Sequence, residues 1–310
     1  MGSRDILVDK NGNVFEMRTI CCPICEGDYA YFLGFRGGEE RQHNGFGIES
    51  RIVRCFKCSL IYPNPFPFPK DSQSLYGDPE KYFEGHNEKG KIENNRNLIR
   101  RICQYLKKSQ CSLLDCGSGR GEMLVAAQLE GCSGVGLEFS KAMIDYAKRM
   151  HGIKVVSKTI EDYTEFATEK FDAVVLNAVL EHVYNPDSMI AAASKLIKPG
   201  GILYIDVPNE PHLFTILISV VNRIIGSKTI YNLSPTWPPF HVFGFNPKSI
   251  QILLRKHNFE IFSLEIRANP KVRSTSNLED RLKAFILTQI NRIANLTNTA
   301  GNMCIFARRI

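Results

Sequence analysis

Two Cys-x-x-Cys pairs, a run of three alternating glycines after an aspartate, and a few histidines are the residues of this chain whose types and spacing could do chemistry. Cys22-Pro-Ile-Cys25 and Cys55-Phe-Lys-Cys58 are separated by a stretch of 29 residues. Each pair can set two thiolates on one side of a tight turn, and the two pairs together complete the tetrahedral sulfur site that suits zinc. Such a site has no open coordination position, so the predicted zinc is structural and folds a segment too small for a core of its own. Cys21 adjoins the first pair, but Cys22 keeps the spacing. The stretch between the pairs is rich in glycine (Gly34, Gly37, Gly38, Gly45, Gly47), as a loop between two hairpins is.

The second feature is "LLDCGSGRGEML", residues 113 to 124, an apolar run ending in Asp115 and followed by Gly117, Gly119 and Gly121. A dinucleotide fingerprint reads G-x-G-x-x-G and seats a pyrophosphate on a helix N-terminus. Here Glu122 stands where the phosphate would be repelled, and Asp115 offers an acceptor that an anionic ligand would not want. The expected ligand is therefore cationic and carries no phosphate. The next strand, "GVGLEFS", ends in Glu138, whose carboxylate can accept both hydroxyls of a ribose. "KTIEDY", residues 158 to 163, follows the third strand and can reach an adenine ring through Thr159 and Ile160. S-adenosylmethionine meets all three demands.

These residues need a frame. Ile92, Leu98, Ile99, Ile102, Tyr105 and Leu106 recur at helical spacing ahead of the glycine stretch. Strands then alternate with helices: strands at 112–116, 133–137, 154–156, 172–177 and 202–206, helices at 121–131, 140–150 and 187–197. A helix at 247–257 and strands at 259–266 and 303–308 finish the chain, the last strand antiparallel. The pattern predicts an α/β, doubly wound, Rossmann-like sheet covered by helices, with a small N-terminal zinc-ribbon module. "YPNPFPFPK" at 62–70 holds four prolines and reads as an extended connection out of the ribbon. The expected division is 1–72 ribbon, 73–110 connecting segment and leading helix, and 111–310 main domain with a lid insertion at 211–245.

Four stretches in register, "LLDCGSGRGEML", "GVGLEFS", "FDAVVLNAVLEHVYNP" (171–186) and "LIKPGGILYIDVPN" (196–209), make residues 90 to 310 resemble the class I S-adenosylmethionine-dependent methyltransferases. The resemblance narrows to members with an N-terminal Cys-x-x-Cys ribbon, which look like enzymes modifying sugars, sugar nucleotides or other small metabolites. It implies that Asp115, Gly117 and Gly119 hold the methionine part, Glu138 the ribose, and Thr159 with Ile160 the adenine edge. Ser118 and Phe139 complete the expected cofactor set. Asn177 is placed beside the methyl group, and Tyr76 and Tyr82 resemble an aromatic pair folding over the cofactor.

A sulfonium methyl needs only in-line alignment, exclusion of water and, for a hydroxyl acceptor, a base. The candidate bases are His182, directly after Glu181, and His241 in "WPPFHVFGFNP"; His257 lies at a helix end, where it favours the dipole. Asn209, His212 and His241 mark the expected acceptor position, and Asp206 faces either the sheet's end or a helix layer. The insertion carries an apolar helix, "LFTILISVVNRII", and the only tryptophan, Trp237. It could shape a pocket, form a homodimer contact or touch a membrane surface, and residues 278–296 share that ambiguity.

Composition bounds the rest. Ten cysteines without an expected signal peptide, since Met1 to Lys10 is polar, point to a reducing, cytoplasmic setting, and no window holds the ~20 apolar residues of a membrane span. Residues 1–72 hold nine Lys/Arg and nine Asp/Glu, so a ribbon of four thiolates on one zinc would be negative, which argues against nucleic acid. The Asn/Asp-Pro-Pro-aromatic tetrad used on base nitrogens is also missing after the fourth strand. The expected acceptor is a small, carbohydrate-like molecule. The alternatives are an RNA methyltransferase gripping RNA with its ribbon and a module that binds the cofactor without turnover.

Overall fold

Short strands broken by turns fill the N-terminal part of the chain: β1 (Asp5–Val8), β2 (Val14–Arg18), β3 (Ala30–Arg36), β4 (Ser50–Cys55), β5 (Ile61–Pro63) and β6 (Phe66–Pro69). The structure is a computed structural model that describes residues 5–38, 47–72, 75, 87–268 and 278–310, the side chains of 278–280 and 283 excepted; Tyr76 and Tyr82 lie outside the described residues. The strands form two three-stranded antiparallel sheets, β1-β2-β6 and β3-β4-β5. The proline-rich stretch is extended, as expected, and it also pairs. It supplies β5 to one sheet and β6 to the other, both at edges, where a residue without an N–H is tolerated.

Helix α1 (Glu88–Leu106) leads into the main sheet. Asn87 caps it by accepting from the Gly90 N–H at 3.1 Å, and Ile99, Ile102 and Cys103 form its buried face. There follow β7 (Ser112–Cys116), α2 (Glu122–Leu129), β8 (Ser133–Leu137), α3 (Lys141–His151), β9 (Val155–Val156), α4 (Ile160–Thr164), β10 (Phe171–Asn177), α5 (Pro186–Leu196) and β11 (Ile197–Pro208). The chain ends with α6 (Leu213–Ile224), α7 (Pro247–Lys256), β12 (Phe259–Arg267), α8 (Leu278–Leu296) and β13 (Asn302–Arg309). The sheet order is β12-β13-β11-β10-β7-β8-β9, with β13 antiparallel to both neighbours and the others parallel wherever they pair. The fold is thus the α/β, Rossmann-like one. Its central strands are apolar runs such as Ala173–Leu176, buried because helices cover both faces.

The N-terminal sheets have no core apart from the rest. Cys22, Cys55, Leu60, Tyr62 and Phe66 share one apolar cluster with Leu180, Ile205, Phe243 and Phe245. The insertion joins the two parts. Phe35 donates its N–H to the Lys228 carbonyl at 2.9 Å and accepts from the Ile230 N–H at 3.1 Å, while Ile61 and Gly244 exchange bonds of 3.1 and 2.8 Å. This contact explains Gly34. A Cβ there would strike the Lys228 carbonyl and come within 2.7 Å of Ile230 Cγ2, so the glycine serves close approach of the insertion rather than loop freedom.

Candidate functional site

The two knuckles have the same backbone. Glu26 N–H donates to the Cys22 carbonyl and Ser59 N–H to that of Cys55; Cys22 N–H donates to Gly27 and Cys55 N–H to Leu60. In each, the residue after the second cysteine is left-handed, Glu26 at φ 57° and Ser59 at φ 66°. The four Sγ atoms lie within 4.8 Å of one another, with Cys22 to Cys58 at 3.4 Å and Cys25 to Cys55 at 3.5 Å. Zinc–sulfur bonds of about 2.3 Å in a tetrahedron set sulfurs roughly 3.8 Å apart, so this donor set fits the ion. The hydrogen bond with Cys58 pulls the Cys22 thiol down to about 5 and pushes Cys58 up. Cys21 is exposed and stands apart.

The glycine stretch turns from β7 into α2 with Gly117, Gly119 and Gly121 all left-handed, at φ 69°, 51° and 86°. At Gly117 a Cβ would also fall 2.7 Å from Val179 Cγ2. The turn's N–H groups are bonded internally. Gly117 and Ser118 donate to the Leu137 carbonyl at 2.9 Å, Gly121 donates to Ser118, and Gly119 donates to Glu138 Oε2 at 3.0 Å. Glu138 Oε1 takes the Phe139 and Ser140 N–H groups at 2.9 Å. A phosphate would need those donors free.

Asp115 is buried behind this turn, and burial, with Glu122 and Glu138 nearby, pushes its carboxyl up to about 8 against the pull of Lys91. Ser118 Oγ is buried with no hydrogen-bond partner among the described residues. Carboxylates of Asp115 and Glu138 and this hydroxyl are the acceptors that an ammonium, a ribose and a sulfonium require, so the residues fit S-adenosylmethionine. Glu122 has a different place from the one its position suggests: Arg120 donates to its Oε1 at 3.0 and 2.7 Å, and Lys91 stands 3.5 Å away, so its charge is met within the protein. Phe139 is part-exposed beside Glu138, Ile160 is buried, and Asn177 ends β10 half-buried. The Thr159 hydroxyl accepts from the Asp162 N–H at 3.1 Å and caps α4.

Beyond β10 the chain turns through Ala178, left-handed at φ 54°, whose N–H donates to the Asp206 carbonyl. A non-glycine residue held there stores strain of the kind that collects at working sites. The turn sets Glu181 in the interior and His182 against His241, with ring centroids 4.8 Å apart. Phe240, before His241, is left-handed too, at φ 63°. Burial pushes Glu181 up to about 8, and pulls His182 to about 3, with the His241 ring adding to the effect, and His241 to about 4. Glu181 Oε1 is 3.7 Å from His182 Nε2, and its Oε2 is buried without a hydrogen-bond partner. Ligand atoms of Glu181, His182 and His241 fall within 4.8 Å of one another.

Asp206 faces the layer of α1: it accepts from Asn302 Nδ2 at 2.7 Å, the Tyr204 hydroxyl at 3.1 Å and Cys304 Sγ at 3.1 Å. Next to Asn302 a cavity of about 580 Å³ opens at this end of the sheet, lined by Asn94, His212, Asn302 and Thr299 among polar groups and by Phe214 and Leu287 among apolar ones. The expected trio of Asn209, His212 and His241 is therefore not one cluster. His212 lines the cavity, Asn209 is buried and donates to the Ala300 carbonyl at 2.8 Å, and His241 packs on His182. His257 caps α7 and bonds Asp187 at 2.8 Å, away from both groups. Three residues escaped the sequence reading: Arg120 with its carboxylates, Lys91 beside Asp115, and Glu210, which burial pushes up to about 8. Only the basic residue inside the glycine run could have signalled the first of them.

A family model described as "Methyltransferase domain" matches residues 86–264. The chain is 35% identical over 129 residues to a protein named ubiquinone biosynthesis O-methyltransferase from Vibrio atlanticus, an alignment covering 40% of this chain and 52% of that one. With the protein of the same name from Dechloromonas aromatica it shares 31% over 202 residues, 62% of this chain and 83% of that one. It spans about half the length of the first curated relatives it matches. A solved SAM-dependent methyltransferase from Archaeoglobus fulgidus superposes with a TM-score of 0.49 at 21% identity, covering 74% of this chain and 97% of that one.

Proposed function

The chain belongs to the methyltransferase-domain family, and on that premise we propose that it moves a methyl group from S-adenosylmethionine to a hydroxyl of a small, carbohydrate-like acceptor. The observation that carries the reading is the closed glycine turn. Its N–H groups are bonded inward and carboxylates stand on either side, so it suits a cationic nucleoside and not a phosphate. Asp115 with Gly117, Ser118 and Gly119 would hold the amino-acid portion, Glu138 with Phe139 the ribose, Ile160 and Thr159 the adenine edge, and Asn177 the neighbourhood of the methyl. When bound, the cofactor supplies a methyl already activated on a positive sulfur.

What remains for the protein is alignment, dryness and a proton acceptor. His241 takes that last role, with the His182 ring packed on it at 4.8 Å between centroids; burial leaves both imidazoles unprotonated at pH 7, while the same burial makes them weaker bases until a ligand changes their surroundings. The relatives' printed names, O-methyltransferase, support oxygen as the methylated atom. The separate cavity beside Asn302, which His212 lines and His241 does not, offers the amides of Asn94 and Asn302, the Thr299 hydroxyl and the Arg267 guanidinium, and these support an acceptor with several hydroxyl groups. RNA is the second reading, drawn from two exposed aromatic rings on the knuckles, Tyr29 and Phe56, against the neutrality of residues 1–72.

Transfer of labelled methyl from S-adenosylmethionine into a size-fractionated extract tests the reading. Label in the small, nuclease-resistant fraction supports it; label removed by nuclease turns the assignment to RNA; cofactor binding with no transfer leaves a binding module. The four knuckle thiolates hold a structural zinc in this proposal. Metal analysis should give one zinc per chain, and Cys55→Ser should lose it together with a large drop in melting temperature, since Tyr62 and Phe243 pack in the same core. A Cys55→Ser chain that melts like the parent would remove the zinc's structural role.

A further inference from the structure

Helices α6 and α8 are apolar where they meet solvent. On α6, Leu217, Val221 and Ile224 recur at helical spacing and are exposed, Ile224 by 79%. On α8, Leu282, Phe285, Ile286 and Leu296 do the same, Phe285 by 61% and Leu296 by 86%. The helices are tied at their ends by the Leu213 N–H donating to the Thr299 carbonyl at 2.8 Å. Phe214, at the start of the same α6 stripe, and Leu287 of α8 line the cavity beside Asn302. A contiguous apolar face of this kind on two helices marks an interaction surface.

Charge identifies the partner. Residues 211–232 and 278–296, which carry the two helices, together hold five Lys/Arg and two Asp/Glu, a net of +3. Arg223 of α6 and Arg281 and Arg292 of α8 are exposed and sit among the apolar side chains. An apolar helix face interleaved with long basic side chains is what an anionic bilayer surface binds, with the apolar groups sunk at the headgroup boundary and the cations at the phosphates. A second copy of the chain suits this face less, because self-pairing brings like charges together. Among the described residues no helix is long and apolar enough to cross a membrane, so contact of this kind would be peripheral.

We infer that α6 and α8 dock the protein on an anionic membrane surface, and that the acceptor is an amphiphile whose hydroxylated head enters the Asn302 cavity while its apolar part stays along these helices. The statement about the acceptor rests on the methyl-transfer reading; the docking does not.

Co-sedimentation of the full chain with vesicles, without cofactor, tests it. Vesicles of phosphatidylcholine with a third phosphatidylglycerol should pellet the protein and pure phosphatidylcholine far less, with binding falling as salt rises. The exposed pair Ile224→Asp and Phe285→Asp should weaken binding at least ten-fold, and Arg223→Glu several-fold, with melting temperature and cofactor affinity unchanged. No binding to the anionic vesicles at low salt would overturn the inference, as would binding indifferent to the paired substitution. A concentration-dependent dimer abolished by that pair, without vesicle binding, would overturn it in favour of self-association. Calorimetric titration of S-adenosylmethionine runs alongside: a parent chain that binds vesicles but not the cofactor sinks the methyl-transfer reading and leaves the docking standing.

Discussion

The proposed cofactor side and the proposed acceptor side lie at one end of the sheet but are built from the chain in different ways. On the cofactor side, Asp115, the glycine turn and Glu138 lie in two successive strand-to-helix connections, and backbone N–H groups fix the carboxylate of Glu138. On the proposed acceptor side, Glu181, Asp206, His241 and Asn302 arrive from four separate parts of the chain; burial pushes Glu181 up to about 8, as it does Asp115 on the other side, and pulls His182 and His241 down to about 3 and 4. One side offers acceptors to a cation. The other would take a proton from a hydroxyl, with imidazoles that burial leaves unprotonated. Local geometry suffices for the first task, whereas the second depends on tertiary packing.

The largest expected effect separates the two sides at His241. His241→Ala should lower the rate of labelled methyl transfer by roughly 10² to 10⁴, the usual range for a lost general base, while the cofactor's dissociation constant moves less than about three-fold. A transfer rate within three-fold of the parent would take His241 out of the chemistry and leave it as packing for His182.

The converse substitution is Asp115→Asn. It removes a charge-assisted bond, so cofactor binding should weaken by about ten- to a hundred-fold, with the rate at saturating cofactor altered only a few-fold. The pH dependence sharpens this. In the free protein Asp115 keeps its proton up to about 8, and a bound cation favours its ionised form, so binding releases a proton below that pH. Affinity should therefore rise with pH by up to about ten-fold per unit and level off above about 8. The Asn variant should lack this component, which titration in buffers of different ionisation enthalpy measures. An identical slope in both proteins would show that Asp115 is not the group that loses the proton.

The same contrast governs what could be read from the residues alone. Asp115, the three glycines and Glu138 were legible because their spacing is their geometry: a turn between a strand and a helix places them whatever surrounds it. The packing of His182 on His241 was not legible, since it depends on how the insertion folds back over the loop beyond β10. The grouping of Asn209, His212 and His241 failed for that reason, with His212 alone in the cavity. Gly34 misled in a related way. A glycine needed for close approach to Lys228 looks, in sequence, like one supplying loop freedom. The proline run was legible as extended backbone, while its pairing at two sheet edges depended on partners remote in the chain.

Thr159 carries the smallest expected effect and the finest distinction between a residue that shapes the cofactor side and one that touches the ligand. Its hydroxyl accepts from Asp162 N–H and caps α4, a helix the periodicity did not reveal because five residues are too few to show a period. As a cap, Thr159→Ala should cost about 1 kcal/mol of stability, and Thr159→Asp should restore it because aspartate caps as well. Cofactor affinity in both should stay within about three-fold of the parent if the adenine meets only the backbone and Ile160. If the hydroxyl itself meets the adenine, Thr159→Asp would keep the melting temperature and still lose affinity. Stability and binding then separate at one residue, and the cofactor side would depend on side-chain chemistry beyond the turn and its carboxylates.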